Sequence, residues 1–158
     1  MKIILDNSEM LICSVVATLR NTTARGNGVR DARMDNKMTA IDIDTIGMMA
    51  ELAWAKWKDC YPDLSVFPQS GTHDFVIDGY TIDIKATRVK SGRLLATLKK
   101  SECCSDIYVL GIVDGNEVDF VGYATKSDLF REENIRDLGR GNGYSLDQSS
   151  LRKFKEEK

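Results

Sequence analysis

Two prolines, one histidine and four cysteines are few for a chain of 158 residues. So little proline argues against long disordered stretches. Cys13, Cys60, Cys103 and Cys104 lack the paired CxxC spacing of a zinc site, and adjacent cysteines such as 103 and 104 rarely bridge each other. Reduced, buried thiols in a cytosolic protein are expected instead. Long apolar runs are missing too. Residues 10–19 come nearest and are far too short to span a bilayer, so no membrane partner is expected. Asp6 and Glu9 just upstream spoil the positively charged start of a signal peptide, and a cytoplasmic location is expected. Charge of one sign is also scarce: 22 basic against 24 acidic residues give a net charge of −2, which by itself speaks against a general polyanion binder.

What is present suits a soluble globular protein, with 42% hydrophobic and 29% charged residues and neither internal repeat nor low-complexity tract. A chain of this length reads as one domain, 1–158, able to bury about two-thirds of its unfolded surface. Met10, Leu11, Val15 and Leu19 recur near helical spacing, predicting a first helix over 8–20. The stretch from Asn21 to Lys37 reads as a loop or short helix. Asp44 or Thr45 can cap a second helix to Lys58, with Ile46, Met49, Ala50, Ala53, Trp54 and Trp57 on one face and Glu51 off it. Strands follow at 93–98, 106–113 and 117–125, the last two joined by a hairpin signal at Asp114-Gly115. Thr125 and Asp128 stand at capping-box spacing, so a short helix starts there. Beyond it Gly139, Gly141 and Gly143 predict a flexible loop before a charged tail, and they do not form a dinucleotide fingerprint.

The densest information lies in 73–87. Asp78-Gly79 is the dipeptide a two-residue type I′ turn prefers, because both central residues need positive φ. Such a turn sets Ile77 against Tyr80 and Phe75 against Ile82. Asp74 then falls opposite Asp83, with Cβ atoms roughly 4.5–5.5 Å apart. Lys85 follows on the face of Asp83, since strand side chains alternate with period two. Like charges so placed destabilise a sheet unless a cation sits between them. Oxygen-only ligands of this kind suit Mg²⁺ or Mn²⁺.

Basic residues are distributed unevenly despite the balanced total. Lys85, Arg88, Lys90, Arg93, Lys99 and Lys100 lie between Ile84 and Ser101 with no acid among them. Arg20, Arg25, Arg30 and Arg33 form an earlier group with only Asp31 against them. Local patches bind polyanions whatever the overall charge, although an ordinary solvated surface reads the same way residue by residue.

Glu51 on a helix, Asp74 on a strand, and Asp83-Ile84-Lys85 on the next strand together resemble the PD-(D/E)xK nuclease superfamily, over residues 45–125. Val121-Gly-Tyr-Ala-Thr, with Gly139, Tyr144 and Leu151 beyond it, is similar to small phage and prokaryotic members. Asp35-Asn36-Lys37 and Glu156-Glu157-Lys158 repeat the triplet, but neither lies in a strand preceded by a cross-paired acid. His73 replaces the proline that usually precedes the first aspartate, and its register pairs it with Ile84 on the face away from the acids.

The resemblance implies an α/β (α+β) fold with a restriction-endonuclease-like αβββαβ core, a central mixed sheet flanked by helices. It also implies a metal-dependent endonuclease that hydrolyses phosphodiester bonds of DNA, RNA not excluded, of phage or mobile-element origin and serving recombination, repair or degradation. Glu51, Asp74, Asp83 and the Ile84 carbonyl would hold Mg²⁺ or Mn²⁺, and Lys85 would complete the catalytic set. Thr87, Arg88, Lys90, Lys99 and Lys100, the last two at the start of a helix, would contact the nucleic acid. Such enzymes often act as homodimers. The alternative is a non-catalytic nucleic-acid-binding or protein-interaction module on the same scaffold. Each residue also has a bland reading: Asp83 and Lys85 as a surface charge pair worth about 0–1 kcal/mol, Asp74 as a strand-end acid, Glu51 as a solvated helix position.

Overall fold

Two capping boxes start the long helices. Helix α1, Asn7–Gly26, begins at Asp6, whose carboxylate accepts the Glu9 amide while Glu9 accepts the Asp6 amide at 2.7 Å. It runs six residues past the predicted end at 20. Helix α2, Ala40–Lys58, is capped by Thr39 together with Asp42, ahead of the predicted Asp44 or Thr45. Thr39-x-x-Asp42 satisfies two otherwise orphaned amides, and Asp44 is instead engaged by the Asn21 side chain at 2.8 Å. That bond and the Lys56–Glu9 ion pair, 2.8 Å, tie the ends of two antiparallel helices together. The computed structural model describes residues 1–28, 38–66, 73–101, 104–139 and 141–155.

The central mixed sheet has the order β1-β6-β5-β3-β2, built from β1 (Lys2–Ile4), β2 (Phe75–Ile77), β3 (Tyr80–Thr87), β5 (Ile107–Asp114) and β6 (Glu117–Thr125). Only β3 and β5 run parallel. Asp78 and Gly79 take φ of 51° and 79°, which makes the predicted type I′ turn, and the predicted pairs Phe75–Ile82 and Ile77–Tyr80 form. The β5–β6 turn centres one residue later than Asp114-Gly115, on Gly115-Asn116, with Gly115 at φ 61°.

A second sheet, in the order β4-β8-β7, comprises β4 (Leu94–Thr97), β7 (Ile135–Asp137) and β8 (Asn142–Leu146). The strand predicted at 93–98 therefore leaves the central sheet. In place of a helix starting at Lys99 and Lys100, the described chain makes a 3₁₀ turn, Leu98–Ser101. Helix α3, Lys126–Leu129, has its capping box at Thr125 and Asp128. The glycine-rich stretch predicted as a flexible loop forms the β7–β8 hairpin. Gly139 and Gly141 turn the chain at positive φ, and Gly143 lies so close to β4 that a Cβ there would stand 2.7 Å from the Ala96 carbonyl and 2.5 Å from Leu138 Cδ1. Gly143→Ala is expected to cost about 1–3 kcal/mol through this overpacking, as a lowered urea midpoint with unchanged slope.

The central sheet is covered on both faces. Val109, Val113, Val118 and Phe120 meet α1 and α2 through Val16, Met49, Ala53 and Trp54. Tyr108, Leu110 and Ile112 meet the second sheet and α3 through Leu94, Ala96, Leu129 and Leu146. The protein is thus α+β around a mixed sheet, as predicted, with helices on one face and a smaller sheet on the other. Among the described residues no helix is long and apolar enough to cross a membrane.

Candidate active site

Strand β3 distributes its side chains by alternation. Ile82 and Ile84 enter the helix-side core, while Asp83 and Lys85 emerge on the other face beside Tyr108 and Leu110, their partners on β5. Asp83 is the only buried charged residue among those described, its side chain 3% exposed. Lys85 Nζ donates to its Oδ1 at 2.5 Å. Lys100 brings a second ammonium within 2.6 Å of Oδ2, a charge contact without hydrogen-bond alignment, so Oδ2 accepts no hydrogen bond.

Asp74 precedes β2. Its amide donates to the Ile82 carbonyl at 2.9 Å, and its Oδ2 accepts the Ile84 amide at 2.6 Å. The carboxylate thus continues the backbone ladder at the sheet edge, rather than standing on the sheet surface face to face with Asp83. The two acids are nevertheless coupled. Burial pushes the Asp74 carboxyl up, Asp83 pushes it further, and the Ile84 amide, Lys85 and Lys100 oppose both. Because N–H and C=O of one strand residue point the same way, the Ile84 carbonyl also faces the edge where β2 has ended.

Glu51 approaches from the helix side. It is 19% exposed, and its carboxyl is pushed up to about 7 by burial first and by the charge of Asp74 second, with Arg20 pulling it down. Arg20 Nη1 stands 3.2 Å from Glu51 Oε2, and the same guanidinium donates to the Asp63 and Ser65 carbonyls at 2.5 and 3.0 Å. It thereby fixes the segment lining a cleft of about 510 Å³ that opens beside Asp74. Three acids therefore line up across the sheet: Glu51 on the helix side, Asp74 at the edge, Asp83 on the far face. As placed, no three carboxylate, thiolate or imidazole groups among the described residues close around one point as a metal cage would.

The repulsion predicted to require a dication is met by protein groups. Two lysines neutralise Asp83, and Asp74 is served by a backbone amide. Lys85 is therefore not the sole cationic partner. Lys100, predicted as a phosphate contact, lies inside the site, and Arg20, predicted only as part of a basic patch, holds Glu51. Nothing local in the sequence announces either pairing.

The other predicted basic contacts disperse. Lys90 lies 3.6 Å from Asp114 and Arg93 2.7 Å from Asp147, both pairs exposed. Arg88 is exposed with its charge felt by Asp42 on α2, away from Lys85. Lys99 is exposed on the 3₁₀ turn. Thr87 ends β3 and its hydroxyl accepts the Val89 amide at 3.1 Å. The run from Lys85 to Lys100 is thus no single stripe, because acids remote in sequence interleave with it. His73 is exposed and outside β2. Arg30, Arg33, Cys103, Arg140 and the other two triplets lie outside the described residues. Cys13, Cys60 and Cys104 are free thiols, Cys13 buried and raised to about 11 by that burial.

Compared with known proteins, the chain matches no family model, no curated protein and no solved structure.

Proposed function

We propose that the protein is a metal-dependent nuclease that hydrolyses phosphodiester bonds of DNA, with Asp74, Asp83 and Lys85 at the reacting centre and Glu51 completing the acidic set. The observation that carries this reading is Asp83. It is a buried carboxylate whose two oxygens each meet a lysine ammonium, Lys85 from its own face and Lys100 from the neighbouring turn, beside a second acid whose pKa it raises. Two acids with raised pKa values, Glu51 and Asp74, the latter lining an open cleft, favour a working site over a solvated surface.

The donor set fits a hard dication. Mg²⁺ commonly takes one or two carboxylates, keeps several waters and leaves room for a phosphate, and Asp74, Asp83 and the edge-facing Ile84 carbonyl offer that set. Glu51, held by Arg20, would join through water. When bound, the ion polarises the scissile phosphate and lowers the pKa of its water. The chain's own groups do the rest. Lys85 offsets charge gathering on the phosphoryl oxygens and orients the attacking water. Arg20 keeps Glu51 and the cleft wall in place. Lys99, exposed on the turn that carries Lys100, supplies a backbone contact.

A cytoplasmic setting and pairing of two copies to cut both strands accompany this reading. The competing reading, a binding module whose Lys85–Asp83–Lys100 cluster is purely structural, draws on the completeness of that ion pairing. Supercoiled plasmid separates the two. Nicking with Mg²⁺ or Mn²⁺ that chelation by EDTA abolishes is expected, and DNA retention with no strand break under either ion would leave only the binding module.

A further inference from the structure

We propose that Lys100 is the site's resident counter-ion, exchanging between Asp83 and a nucleic-acid phosphate, so that the divalent ion and the phosphate backbone bind cooperatively. This rests on the nuclease reading and names the residue that couples its two ligands.

One buried carboxylate needs one cation. Lys85 already supplies it, hydrogen-bonded to Oδ1 from the same strand face. Lys100 adds a second positive charge at 2.6 Å from Oδ2, the oxygen that accepts no hydrogen bond. Of the two contacts this is the one that an ion would contest. Lys100 stands on a single 3₁₀ turn, not on β3, and its side chain is 27% exposed, so its stem can carry the ammonium to water without unfolding the sheet.

A dication placed on Asp83 Oδ2 would meet that ammonium at close range. The two cannot share the oxygen, so metal entry expels Lys100. The anion best placed to receive it is the phosphate that the ion itself draws in. Lys90 and Arg93 are engaged elsewhere, with Asp114 and Asp147. Cooperativity follows from linkage: if phosphate binding removes Lys100 from Asp83, metal binding tightens, and metal tightens phosphate binding by the same factor.

The test is calorimetric titration of Mn²⁺ into wild type, Lys100→Met and Lys100→Arg, each alone and with a short DNA duplex carrying hydrolysis-resistant phosphorothioate linkages. Without DNA, Lys100→Met is expected to bind Mn²⁺ about tenfold more tightly than wild type. DNA is expected to tighten Mn²⁺ binding in all three proteins, because the ion itself meets the phosphate, and by a larger factor in wild type and Lys100→Arg than in Lys100→Met; an equal factor in all three overturns the coupling. Equal Mn²⁺ affinity in wild type and Lys100→Met overturns the counter-ion role while the nuclease reading stands. Absence of Mn²⁺ binding in every protein, with or without DNA, removes the metal reading and this inference with it. Should Lys100→Met not fold, wild type still decides, because DNA that fails to shift its Mn²⁺ affinity refutes the coupling.

Discussion

Asp83→Asn is expected to lower plasmid nicking roughly 10³-fold or more while the protein stays folded and still retains DNA. Asparagine keeps the volume and one acceptor oxygen at a position where the side chain is almost fully enclosed. What it removes is the negative charge that faces Lys85 and Lys100 and that would hold a dication. Both lysines are partly exposed, at 32% and 27%, so their ammonium groups can turn to water and the structural penalty stays near 1–2 kcal/mol. The split between the two readouts is the point. A purely structural ion cluster would lose stability and nothing else, whereas a working carboxylate loses turnover out of proportion to stability. Nicking rates of wild type and Asp83→Asn, set beside their urea midpoints, give both numbers; equal nicking would sink the proposed chemistry.

What was legible in the sequence follows the range of the forces involved. The β2–β3 register could be read because a two-residue turn with two positive φ values admits one pairing, and Asp78-Gly79 supplies it. The buried face of α2 is equally readable from its 3.6-residue period, though its start is not. Thr39 and Asp42 form a capping box just ahead of the apolar pattern, and Asp44 is equally good capping chemistry until Asn21 claims it. The three residues of β1 are too few to show a period. Alternating glycines read as a loop, yet Gly143 is in a strand because β4 approaches too closely for a side chain. The pairings Arg20–Glu51 and Lys100–Asp83 were the least accessible. They depend on how α1 packs on α2 and on how the chain returns from the second sheet, and no local spacing encodes either.

Replacing Glu51 by glutamine is expected to alter the pH dependence of stability more than any other single change at the site. The Glu51 carboxyl is raised from its ordinary 4.5 to about 7, by burial and by Asp74, so between those pH values the folded protein keeps a proton that the unfolded chain has released. Stability therefore falls as pH rises through that window, by on the order of 3 kcal/mol in all. Asp74, raised for the same kind of reason, adds to the fall. Asp106 has the opposite sign: hydrogen bonds from Thr81 hold it down to about 2, and stability present above the ordinary carboxylate range is lost as pH drops toward that value. Asp128, held low by Arg152, acts likewise. The optimum then lies near about pH 5, where the acid limb has ended and Glu51 is still protonated. Glu51→Gln matches the protonated side chain, so it should resemble wild type at pH 5 and exceed it at pH 8. Urea unfolding of both proteins at the two pH values reads the difference directly, and parallel profiles would refute the assignment. The same proton links stability to the proposed chemistry, because a dication entering beside Asp74 must favour the ionised form of Glu51. At saturating Mn²⁺ the fall in stability between pH 5 and pH 8 should therefore shrink in wild type and change little in Glu51→Gln.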